Sequence, residues 1–157
     1  MYKRFISKLT VLAITCMIVS SFAFSAEITK AQVLDIVDDA VKLVEMKGDA
    51  GIKIIGTKDG EFKKGALYVF CYNTDVEIIA HPVKPFLVGK SYKGKPDVKG
   101  KKFRDEIVKK ALDGSGWTTY HYQKPGAKGI FKKTAFSRLA KYNGKKYIVV
   151  AGMYAAK

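Results

Sequence analysis

A chain of 157 residues has room for one domain that buries about two-thirds of its unfolded surface, so neither a disulfide nor a metal is needed to hold it. Its 29 Lys and Arg against 14 Asp and Glu give a net charge of +15, which admits nucleic acid, anionic lipid or a small anion as partner. It has two cysteines, and Cys16 falls in an N-terminal leader; Cys71 alone excludes an internal disulfide or a cysteine-based zinc site in what remains.

Residues 1–26 read as a secretory signal peptide. Lys3, Arg4 and Lys8 form a basic start, residues 9–24 are apolar and uncharged, and Ala23, Ser25 and Ala26 offer small-residue cleavage sites before the first acid, Glu27. Cleavage after Ala26 fits best. The rival is an uncleaved anchor, for which the apolar run is short of the roughly 20 residues a span needs. Cys16 follows Ala13-Ile14-Thr15, which is not a lipidation pattern. The leader holds three basic residues and no acid, so residues 27–157 form a single domain of charge +12, expected in the periplasm or secreted. Export argues against nucleic acid, and no membrane span is expected after cleavage. Lysine pairs such as Lys63-Lys64 and Lys132-Lys133 read as solvated surface.

Residues 29–47 predict an amphipathic helix, with Val33, Ile36, Val37, Ala40, Val41 and Val44 on one stripe. Thr29 with Gln32 fits a capping box and Gly48 a stop. Residues 50–64 are punctuated by glycines and predict a short helix or an irregular segment. Residues 66–72 and 76–80 predict a β-hairpin across Asn73-Thr74-Asp75, ended by Pro82. Cys71, inside the first of these strands, reads as a buried apolar residue. A long connection, 82–102, then leads to a second helix over 101–112, with Phe103, Ile107, Val108, Ala111 and Leu112 as its stripe. Strands over 117–122, 131–142 and 146–154 close the chain, the last two joined by Asn143-Gly144, a type I′ hairpin signal. Antiparallel strands with helices covering one face give an α+β domain.

Catalytic motifs are lacking. His81 and His121 stand in no metal spacing, and Ser91, Ser115 and Ser137 form no nucleophile elbow. No enzyme activity, cofactor or metal is expected. What stands out is a set of aromatic and basic strand residues: Tyr68, Tyr72, Trp117, Tyr120, Tyr122, Lys133 and Tyr147. Alternation puts Tyr120 and Tyr122 on one sheet face and Trp117, Thr119 and His121 on the other. Phenols and an ammonium can hold a small carboxylate through charge-assisted hydrogen bonds; the competing reading makes these aromatics core.

Leu67-Tyr68-Val69-Phe70, Tyr72, Asp75, Ala80-His81-Pro82 and Leu87-Val88-Gly89-Lys90 occur in order, followed by Gly116-Trp117, Tyr120, Pro125, Lys133, Arg138 and a terminal Val150-Ala151-Gly152-Met153-Tyr154. Over residues 29–154 the pattern resembles the single Cache domain family. The resemblance implies a PAS-like fold, with a long N-terminal helix packed on a central antiparallel sheet of about five strands, a second helix in the connection, and a pocket on the sheet's other face. It further implies an extracytoplasmic sensor of a small molecule, often a short carboxylate, that signals through a membrane-bound receptor or kinase. Ligand-binding positions implied or read here are Tyr120, Tyr122, Lys133, His81, Tyr72 and His121; Trp117 is assigned to packing. Three positions depart from the family: Val76 and His121 stand where Gly and Arg are frequent, and Tyr122 where Trp is. The alternative is a ligand-free Cache fold that docks to a partner or anionic surface through its basic face.

Overall fold

The computed structural model describes residues 27–155; the leader reading and its cleavage site lie outside the described residues. Helix α1 (Lys30–Lys47) begins with the predicted capping box: the Gln32 backbone N–H donates to the Thr29 hydroxyl at 3.2 Å, and the Thr29 N–H donates to Gln32 Oε1 at 2.9 Å. It ends at Gly48, whose φ of +54° suits glycine and whose missing side chain leaves space for the Tyr142 ring. The chain turns at once into α2 (Asp49–Ile55), the short helix expected among the glycines.

The strands are β1 (Lys63–Lys64), β2 (Leu67–Tyr72), β3 (Ile78–Ala80), β4 (Ser115–Gln123), β5 (Ile130–Tyr142) and β6 (Lys145–Tyr154), with α3 (Phe103–Leu112) between β3 and β4. The sheet is antiparallel, ordered β1-β2-β6-β5-β4 with β3 on β2, one strand more than the sequence indicates because β1 adds a two-residue edge. Asn143 and Gly144 both have positive φ, as a type I′ turn requires. At Gly152 a Cβ would come within 2.8 Å of Thr134 O and Ala135 Cβ, so only glycine allows β6 to lie this close to β5.

The sheet carries a core on each face. Val69, Cys71, Phe136, Tyr147, Val149 and Ala151 pack against α1 and α2. Tyr68, Phe70, Tyr72, Tyr120, Ile148 and Val150 pack on the other face against Phe103, Ile107, Val108 and Ala111 of α3. The helices therefore lie on both faces, not on one: an apolar stripe shows that a helix is buried, but not against which side. Leu112, placed in that stripe by sequence, is 39 % exposed, whereas Arg104 is buried.

The connection after β3 is ordered by backbone hydrogen bonds. Gly89 N–H donates to Ile78 O, Ile78 N–H to Lys90 O and Tyr92 N–H to Val76 O, at 2.9–3.1 Å, so residues 89–92 cover the β3 edge. Val76 keeps φ +62°, a left-handed conformation that is strained for a β-branched residue, at the position where glycine is frequent. Further on, the Asp97 carboxylate accepts from the N–H groups of Lys99, Lys101 and His121, which clips the connection to β4. Ser137 Oγ donates to Ile107 O at 3.1 Å and ties α3 to the sheet.

Candidate functional site

The site lies between the α3-covered sheet face and α3. Tyr120 and Lys133 are direct cross-strand partners on β4 and β5, so they share this face, and Tyr122 follows two residues along β4. β2 contributes Tyr68, Phe70 and Tyr72; His81 follows β3, and α3 contributes Phe103 and Arg104. Together they enclose a cavity of about 10 Å³, room for about one water. Phe103 is part of its wall, and its ring stacks on Tyr120 with centroids 4.0 Å apart and planes 7° apart. The pocket that the family resemblance implies on this face is thus nearly closed.

Lys133 is fully buried. Its Nζ donates to Tyr68 Oη at 3.0 Å and sits over the rings of Tyr68, Tyr154 and Phe70, 4.2, 4.9 and 5.0 Å from their centroids. Among the described residues no carboxylate pairs with it. Burial, reinforced by the positive charge of Lys84, lowers its pKa from 10.5 to about 7. Tyr68 Oη lies 3.4 Å from Tyr154 Oη, and Tyr154 donates to Gln123 O at 2.7 Å. Because Tyr68 accepts from Lys133, its own proton is free to point at Tyr154, giving a chain of donors directed outward from the lysine. Burial raises Tyr68, Tyr72, Tyr120 and Tyr122, and Tyr154 to about 12, so all five phenols stay protonated and can donate.

His81 is buried, with its ring near Phe70 and Tyr68 at 5.6 and 5.3 Å. Its Nδ1 accepts the Lys84 N–H at 3.0 Å, so the neutral ring carries its proton on Nε2 and is a donor there. Burial, then Lys133 and Lys84, depress its pKa to about 3. Arg104 is 9 % exposed, lies over the Phe103 and Tyr92 rings at 4.2 and 4.6 Å, and acts on the Tyr72 and Tyr122 phenols. It too has no ion pair with a carboxylate among the described residues.

Of the six positions named from sequence, the structure gathers Tyr120, Tyr122, Lys133, His81 and Tyr72 around one cavity. His121 is not among them. It points from the opposite face of β4, one-third exposed, with Nδ1 3.5 Å from the Asp97 carboxylate. Trp117 packs on Phe136 at 5.1 Å, away from the cavity. Sequence reasoning missed Arg104, although its spacing to Ile107, Val108 and Ala111 put it on the buried stripe.

Several solved structures share the fold. A periplasmic sensor domain of a chemotaxis protein superposes with TM-score 0.66 at 24 % identity, covering 80 % of this chain and 94 % of that one. A Cache chemosensory domain described for carboxylic acid recognition gives 0.64 at 22 %, covering 80 % and 92 %. A methyl-accepting chemotaxis protein from Vibrio parahaemolyticus gives 0.62 at 17 %, covering 80 % and 84 %. No curated protein matches the chain. The family model described as Single Cache domain 2 matches residues 25–156, which contain the whole span of 29–154 read from the sequence pattern, and this chain belongs to that family.

Proposed function

We propose that the protein is an extracytoplasmic sensor that binds a small carboxylate in the cluster beneath α3 and passes the signal to a membrane-bound receptor or kinase. One observation carries this reading: Lys133 is fully buried and, among the described residues, has no acidic partner. An isolated buried charge costs several kcal/mol, and a site shaped for stability alone would hold an apolar residue. Lys133, Arg104, the Nε2–H of His81 and the phenols of Tyr72, Tyr120 and Tyr122 are all donors. These residues line a space to which, among the described residues, no side-chain carboxylate contributes, and a bound carboxylate would supply the missing negative charge.

Cache domains are extracytoplasmic ligand-binding sensor domains, and one structural neighbour is described for carboxylic acid recognition. The leader reading agrees with export, and no helix among the described residues is long and apolar enough to cross a membrane. Since the cavity holds about one water, entry of a ligand moves Phe103 off Tyr120. That movement shifts the first turn of α3 and offers a route from occupancy to a change of surface.

Melting of the protein with a panel of small carboxylates tests this. A ligand at 100 times its dissociation constant adds about 2.7 kcal/mol of stability, and Lys133→Met abolishes the response while the variant stays folded. A melting temperature unmoved by every acid, or an equal shift in the variant, rejects the proposal.

A further inference from the structure

We infer that the ligand is an amphiphilic carboxylate: a headgroup held by Lys133 and Arg104, with a hydrocarbon or aromatic tail lying in a second, outer hollow. The inference rests on the headgroup reading above and extends it to the rest of the ligand. A hollow of about 340 Å³ adjoins the closed cavity, at the lower end of the range for small-molecule sites. The two share three lining residues, Phe103, Arg104 and Tyr122. With space for about one water inside, any ligand larger than its headgroup extends past these three into the outer hollow.

The walls of that hollow suit a tail. Pro96, Val98 and Ile130 line it, and Val98 and Ile130 are 66 % and 47 % exposed, large aliphatic side chains left to water from the connection before α3 and from the start of β5. The polar groups there are already engaged: the Asp97 side chain is 1 % exposed, satisfied by backbone N–H groups and by His121. Those N–H donors offset its charge and soften its repulsion of a bound acid. Arg104 stands at the junction, where its guanidinium meets a headgroup while the tail runs outward over Val98 and Ile130. The shortest acids would leave this apolar wall wet.

Calorimetry with acetate, butanoate, hexanoate and octanoate, all below micelle-forming concentration, tests the assignment on protein purified after expression of the full chain. Affinity should rise up to about fourfold per added methylene until the hollow is filled. Ile130→Asn and Val98→Asn, neutral changes at exposed positions, should each weaken octanoate about tenfold and leave acetate unchanged. Acetate binding with no dependence on chain length overturns the tail assignment and leaves the headgroup reading standing. No response to any acid, or hexanol binding as tightly as hexanoate, overturns the headgroup reading itself.

Discussion

Lys133 is the residue at which folding and binding pull in opposite directions. Its ammonium sits among four aromatic rings with one phenol as hydrogen-bond partner, which recovers only part of the hydration it lost. The folded chain releases this proton near pH 7 and the unfolded chain near 10.5. Between those values the unfolded state holds a proton that the folded state lacks, so stability rises with pH across the window; below pH 7 the burial penalty is present in full. Lys133→Met is accordingly expected to stabilise the protein by about 1–4 kcal/mol at pH 6, with the gain fading toward pH 10.5. Urea unfolding at pH 6, 8 and 10 measures it, and a gain constant with pH would contradict the assignment. Alternation and the family pattern made Lys133, Tyr120 and Tyr122 legible from sequence, because strand periodicity fixes faces. Arg104 was not, since a charged residue on a helix reads as solvated unless its spacing to the apolar stripe is weighed above its charge.

At the scale of elements, what could be read was what local chemistry decides. The capping box at Thr29, the stop at Gly48 and the turn at Asn143-Gly144 each depend on a few neighbouring residues, and each lies where the spacing put it. The face taken by α3, the course of residues 82–102 and the closure of the cavity depend on contacts far apart in sequence, and no local signal encodes them. The positive φ at Val76 shows the same limit, because hydrogen bonds from Asn73, Glu77 and the 89–92 segment hold a turn that valine itself disfavours. α3 is the element on which both the core and the site depend. Its Phe103 is 2 % exposed and stacked on Tyr120, so Phe103→Ala should cost about 3–5 kcal/mol as the ring's contacts are lost. If Phe103 is also what ligand displaces, the variant should bind a small carboxylate more tightly than the parent despite its lower stability. Denaturant unfolding and calorimetry on the same variant separate the two effects, and a loss of both stability and affinity would make Phe103 a purely structural residue.

For the molecule as a whole, the buried groups set an unusual dependence of stability on pH. His81 is depressed from 6.5 to about 3, so stability is lost as pH falls through that interval, because the unfolded chain takes up a proton that the folded site refuses. Asp97 and Glu106, held low by hydrogen bonds and lysines, add to the loss in acid. Lys133 makes stability climb again from about 7 toward 10.5. Above 10 the trend reverses, since Tyr68, Tyr72 and Tyr120 ionise more readily in the unfolded chain than in their buried places. Net charge adds to the rise that Lys133 gives, because a domain of +12 repels itself less as its lysines begin to titrate. The expected maximum is therefore alkaline, between about pH 8 and 10, rather than in the neutral range where most proteins are most stable. Thermal melts from pH 4 to 11 at constant ionic strength would show it. His81→Gln should flatten the acidic limb, Lys133→Met the limb between 7 and 10, and a parent curve that peaks near pH 6 would mean that Lys133 is not shielded from water as the structure requires.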